Sequence, residues 1–192
     1  MSKSDLEEVF TELLSAEQAF VFYRLPNDKT VHCHFQEDAP LVYTADLKIK
    51  GFVMSRFDSP LPAVYISDKN HLQFEYEPSS FQGKDVEVSI DTENKISFIN
   101  IVNETKKAIA SGRLKKLVVA RKIIQKGEVD ALKLYTHLLT LYPRAMVYFW
   151  HHPKGETWVG ASPEQLFSLR SNRLTTMALA GTLPYNSKEE YH

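Results

Sequence analysis

Two ionisable residues of the 192-residue chain stand where acid–base chemistry could arise. Lys116 opens the run Lys116-Leu117-Val118-Val119-Ala120-Arg121, and Glu164 closes Gly160-Ala161-Ser162-Pro163-Glu164. A lysine held beside apolar backbone is pushed toward its neutral form, the only form that accepts a proton. A carboxyl in similar surroundings keeps its proton and can donate it. Strand alternation puts Lys116 on a face with Val118 and Ala120, and Lys115 on the other with Leu117, Val119 and Arg121. The residues alone favour a solvated strand-end lysine, because most lysines are exposed. Glu164 has two readings of equal weight. Pro163 fixes its backbone and Leu166 and Phe167 can surround it with apolar groups; equally, Ser162-Pro163-Glu164 is a helix start, with serine as cap and the acid near the positive end of the dipole. Downstream, Ala180-Gly181-Thr182 offers a glycine that lets backbone approach a ligand, with the Thr182 hydroxyl as a donor, or simply a tight turn.

These groups need elements to hold them. Leu6, Val9, Phe10, Leu13 and Leu14 recur at helical spacing after Ser4, predicting a first helix that ends near Ala19. Short runs rich in Val, Ile, Phe and Tyr follow at 19–23, 30–35, 48–57, 63–67, 71–77 and 85–90, a sheet-building region in which Leu72 to Glu77 alternates apolar with polar. His32 and His34 share one strand face, a pattern that can ligate metal. With no carboxylate or cysteine at ligand spacing, they read as solvent-facing or capped imidazoles.

At Asp91 the pattern changes. Phe98, Ile101, Val102, Thr105, Ala108 and Ile109 trace a helical face ending at Gly112, which turns the chain into the Lys116 strand. A second helix spans 129–142 with Pro143 as its stop, and strands at 145–150 and 157–159 pair through Pro153-Lys154-Gly155. A last strand, Arg173 to Leu179, runs into Ala180. The expected division is a strand-rich subdomain over 1–90 and the first part of a catalytic domain over 91–192. The fold class is α/β (α+β), with mixed sheets flanked by helices.

Composition narrows the partners. Hydrophobic residues make up 43% of the chain, enough for a core, and 23 basic against 24 acidic residues leave a net charge of -1. No bulk basic surface argues for nucleic acid or a membrane. The lone Cys33 excludes an intramolecular disulfide. Neither a leader nor a long apolar run is visible, so a soluble, cytoplasmic protein is expected.

The ordered set Lys-Leu-Val-Val-Ala-Arg, Gly-Ala-Ser-Pro-Glu and Ala-Leu-Ala-Gly-Thr resembles the chorismate-binding enzymes over about Asp91 to His192. That family includes isochorismate synthase, salicylate synthase, anthranilate synthase component I and aminodeoxychorismate synthase. The resemblance implies chorismate as substrate and Mg2+ as cofactor. It implies Lys116 as the base that activates water, Glu164 as the acid that protonates the departing hydroxyl, and Ala180, Gly181 and Thr182 as pocket lining. Ammonia-using members usually carry glutamine where this chain has Lys116, and aminodeoxychorismate synthases carry lysine where it has Ala180. The water-adding branch is therefore closest: isochorismate synthase first, salicylate synthase second, an anthranilate synthase component I type as a further alternative. A non-catalytic binding domain is the reading from another class.

Ser187 with Glu190 forms a capping box that announces a helix running beyond Tyr191, whereas the chain ends at His192. The resemblance places the magnesium ligands and the residues gripping the substrate carboxylates further on. The expectation is an inactive N-terminal fragment with no bound Mg2+, whose open sheet edges favour self-association.

Overall fold

Leu6, Phe10 and Leu13 form the buried side of the first helix, α1 (Lys3–Ser15), in the computed structural model, which describes residues 1–37, 40, 42–46, 48–56, 62–77, 92–124 and 127–177. The strands that follow are β1 (Ala19–Arg24), β2 (Thr30–Gln36), β3 (Tyr43–Thr44), β4 (Gly51–Met54), β5 (Ala63–Ser67) and β6 (Asn70–Glu75). Then come α2 (Thr92–Ala110), α3 (Ala131–Leu141), β7 (Met146–His151), β8 (Thr157–Ser162), β9 (Phe167–Arg170) and β10 (Arg173–Thr176). Every pairing among the described strands is antiparallel, and the class is α+β, as expected.

α1 is capped two residues earlier than Ser4 because Ser2 and Asp5 cap reciprocally. The Asp5 N–H donates to Ser2 Oγ at 3.3 Å, and the Ser2 N–H donates to the Asp5 carboxylate at 2.7 Å. The helix also stops short of Ala19, since Glu17 adopts φ +51° and turns the chain into β1.

Two units make up the chain: Met1–Gln82 with Val129–Thr176, and Gly83–Glu128 with Met177–His192. This grouping puts residues 129–176, which lie beyond the expected division at Asp91, with the first unit. β7 pairs with β1 in the register Phe22↔Phe149, so sequence from beyond residue 129 completes a sheet begun before residue 25. Asp91 and the expected strand 85–90 lie outside the described residues.

In the first unit a five-stranded sheet runs β6-β2-β1-β7-β8. Register puts Phe20, Phe22, Val31, Cys33, Phe74, Val147 and Phe149 on one face, where Leu6 and Phe10 of α1 and Tyr135 and Leu139 of α3 cover them. Phe10 sits at the centre, its ring 4.7 Å from that of Phe149 and 5.4 Å from that of Phe22. Tyr76 ties α3 to this core through Thr136 O and Thr140 Oγ1, each 3.1 Å from its hydroxyl. Val21 and Trp150 face the opposite way, against Ile66, Phe52, Met54 and Val64 of the small sheet β3-β5-β4. β9 and β10 form a separate hairpin whose turn residues, Ser171 and Asn172, both have positive φ, as a two-residue hairpin of this twist requires.

In the second unit α2 presents Phe98, Val102, Thr105 and Ala108 as its more buried side, while Ile101 and Ile109 of the expected face stay exposed. Gly112, at φ +75°, ends the helix as predicted, and the Leu114 N–H closes back on Ala108 O at 3.2 Å.

Candidate active site

Gly160 lies inside β8, opposite Tyr148 of β7, and the Tyr148 ring lies across it. A Cβ at Gly160 would come within 3.0 Å of Tyr148 Cε1 and Oη. The glycine of Gly160-Ala161-Ser162-Pro163-Glu164 thus has a packing reason. Ala161 turns to the helix-covered core, and Ser162 ends the strand. The Ser162 hydroxyl donates to the backbone carbonyl of Glu164 at 3.2 Å, shaping the turn after β8. Residues 163–165 form no helix, so the serine-cap alternative does not hold. Glu164 is exposed at the sheet end, where the sequence put it. The apolar surroundings expected from Leu166 and Phe167 are not supplied by them, since these side chains are 79% and 59% exposed.

Lys116 lies in the second unit and is exposed. The strand predicted from Lys115 to Arg121 is absent: residues 116–124 have no regular structure, and Val118 and Ile124 are 70% and 73% exposed. Val-rich sequence has the propensity for a strand, but a strand needs a neighbour to take its N–H and C=O groups. None of the described strands pairs with this stretch. Arg121 is anchored, its guanidinium 5.4 Å from the Phe98 ring centroid on α2. The solvated reading of Lys116 is the one the structure has. Lys116 and Glu164 belong to different units, each with the surroundings just given. Ala180, Gly181 and Thr182 lie outside the described residues.

Sequence reasoning left a third imidazole out. β2 pairs with β6 in the register His34↔His71, which brings His71 against both His32 and His34. His32 Nδ1 and His71 Nε2 are 3.1 Å apart, and the His34 ring stacks on that of His71 with centroids 4.4 Å apart. Tyr23 Oη meets His34 Nε2 at 3.3 Å. Burial foremost, then the neighbouring imidazole His71, pushes His34 down to about 4; His32 is lowered for the same two reasons. Only the alternation of β6 hinted at His71, and the pairing partner of β6 could not be read from it. Among the described residues no group of three or more His, Cys, Asp or Glu is arranged to hold a metal ion. The described residues therefore do not by themselves make a site for the implied Mg2+.

A family model described as chorismate binding enzyme matches residues 21–191. The chain belongs to the chorismate-binding enzymes. The match reaches well upstream of Asp91, where the motif resemblance began, and takes in the sheet built on β1. This member of the family is 22% identical to a probable anthranilate synthase component 1 of Schizosaccharomyces pombe over 159 residues, 83% of the chain and 30% of that protein. It is 33% identical to anthranilate synthase component 1 of Thermococcus kodakarensis over 87 residues, 45% of the chain and 20% of the relative. The Saccharolobus solfataricus protein of that name is 30% identical over 97 residues, 50% of the chain and 23% of the relative. The chain spans less than a third of the length of each. No solved structure gives a significant match. No helix among the described residues is long and apolar enough to cross a membrane.

Proposed function

We propose that this chain is the N-terminal portion of an isochorismate synthase, an enzyme that converts chorismate to isochorismate by adding water and losing the ring hydroxyl. The observation that carries the reading is the lysine at position 116, at the head of its motif, where ammonia-using members of the family usually have glutamine. Ala180 agrees with it. In this reading Lys116 takes a proton from the attacking water, and Glu164 gives one to the hydroxyl that leaves as water. The lysine gains a proton from the water as the glutamate gives its own to the leaving hydroxyl, so the two charges that form cancel and the step is neutral overall. Gly181 and Thr182 contribute pocket lining, and Mg2+ is the cofactor of the whole enzyme.

Lys116 stands in water in the structure described here, so the chain by itself is expected to leave chorismate unconverted. General-base work at this position calls for a surface that covers the stretch from Leu117 to Ile124, where Leu117, Val118, Ile123 and Ile124 are exposed. Self-association through that stretch and the open sheet edges is a further part of the proposal.

The second reading is an anthranilate synthase component I type, favoured by the names of the relatives above. Product analysis separates the two. The whole protein is given chorismate and Mg2+, with and without ammonium, and the products are resolved by chromatography. Isochorismate formed without ammonium supports the first reading. Anthranilate formed only with ammonium moves the assignment to the second. Salicylate with pyruvate points to salicylate synthase, and a protein that neither binds nor converts chorismate is a non-catalytic domain.

A further inference from the structure

Three imidazoles and a phenol meet on the face of the main sheet that looks toward the small sheet. His32 and His34 come from β2, His71 from β6 and Tyr23 from β1. Tyr23 stacks on His32 and His34 at 5.1 and 5.8 Å between centroids, and Phe52 of β4 closes over Tyr23 at 5.5 Å. His34 is 5% exposed, and its Nδ1 has no hydrogen-bond partner. The His34 and His71 rings lie within 14° of parallel, so their in-plane lone pairs run past each other instead of converging on one ion. This is a poor cage for a metal and a sensitive place for a proton.

The 3.1 Å contact between His32 Nδ1 and His71 Nε2 is a ring-to-ring N–H···N bond, which needs one nitrogen to donate and the other to accept. The pair can be neutral or carry one charge. With two charges it has donors face to face and the bond is lost. His34, stacked on the same His71, would add a positive charge where little water reaches. Among the described strands β6 stands at the end of the sheet order with β2 as its strand partner, so the ladder under the histidines is its one strand pairing there, beside the Phe74 side chain in the core and the Glu75 N–H on Met1 O at 2.9 Å.

We propose that the His32–His34–His71 cluster is an acid-sensitive latch that holds edge strand β6 on β2 and releases it when the cluster takes up additional protons. Two carboxylates oppose the release: Asp28, between β1 and β2, favours a charged His32, and Asp68, at the end of β5, favours a charged His34. Burial outweighs both. From β1 comes the neutral Tyr23 phenol and from β4 the uncharged Phe52. The closed strand excludes protons that an opened strand accepts below the ordinary histidine value of about 6.5. The closed form is therefore fully favoured above that pH and loses ground as pH falls toward the depressed value of His34, about 4. Each proton taken up on opening raises the open population about tenfold per pH unit inside that window.

Hydrogen exchange of the intact chain at pH 7 and pH 5, normalised for intrinsic exchange, reads the latch directly. The expected result is a loss of protection of about tenfold or more in β6 amides, with β1 and β7 amides unchanged. Simultaneous loss in β1, β6 and β7 would show ordinary global acid unfolding and overturn the proposal. His71→Asn and His34→Phe should each flatten the pH dependence of β6, and an undiminished dependence in both overturns it. Should neither variant fold, ring-nitrogen NMR of the natural chain decides. An imidazole still neutral below pH 5 supports the latch, and three that titrate near the ordinary value sink it.

Discussion

The ring of Tyr148 on β7 lies across Gly160 on β8, so the first residue of Gly160-Ala161-Ser162-Pro163-Glu164 is a glycine for the sake of its cross-strand neighbour. Gly160→Ala should destabilise the first unit by about 1–3 kcal/mol, since the new methyl meets Tyr148 at 3.0 Å. In urea denaturation, combining it with Tyr148→Ala should cost less than the sum of the two single changes. Strict additivity would show that the contact does not set the residue.

Arg24 is buried in β1 and donates to the carbonyls of Leu139 at 2.6 Å and Tyr142 at 2.7 Å, at the end of α3. These carbonyls have no partner inside the helix, and the cation complements the negative end of its dipole. Arg24→Met should cost about 2–4 kcal/mol, because two charge-assisted bonds go and the buried Leu139 carbonyl loses its side-chain donor, while the Tyr142 carbonyl keeps the Ala145 N–H at 3.2 Å. The check is a denaturation midpoint together with loss of exchange protection at the last turn of α3. A change below about 0.5 kcal/mol would contradict the cap.

Cys33 is fully buried in the core face of β2, and burial pushes its thiol well up, away from the reactive thiolate. Alkylation by iodoacetamide at pH 8 should follow unfolding. Adding urea below the midpoint should speed it in step with the unfolded fraction. Fast, urea-independent labelling would place the thiol at the surface.

If the proposed isochorismate synthase reading holds, Lys116→Ala and Lys116→Gln in the whole protein should lower isochorismate formation by about 100- to 10,000-fold, the usual worth of a general base. Glu164→Gln should do likewise through the acid. Both side chains are exposed in this chain, so the same substitutions made in it should change its unfolding free energy by less than about 0.5 kcal/mol. Activity retained in Lys116→Ala would remove the residue from the mechanism.

Local pattern carried much of this protein. Apolar spacing set α1, α2 and α3; β-branched and aromatic runs set β1, β2, β5 and β7; Gly112 and Pro143 set the stops. Three ordered motifs were enough to point to the chorismate-binding enzymes, which the family match bears out. These signals are short-range, written within a turn of helix or a few residues of strand.

Tertiary structure decided what depends on partners distant in the chain. Phe22 meets Phe149 across β1 and β7, a pairing that joins residues on either side of Asp91 and that no window of neighbouring residues contains. His71 joins His34 for the same reason: strand register is a property of two segments at once. The run from Lys116 shows the converse. Its sequence has the propensity for a strand, but backbone N–H and C=O groups become a strand only against a neighbour, and the described strands supply none.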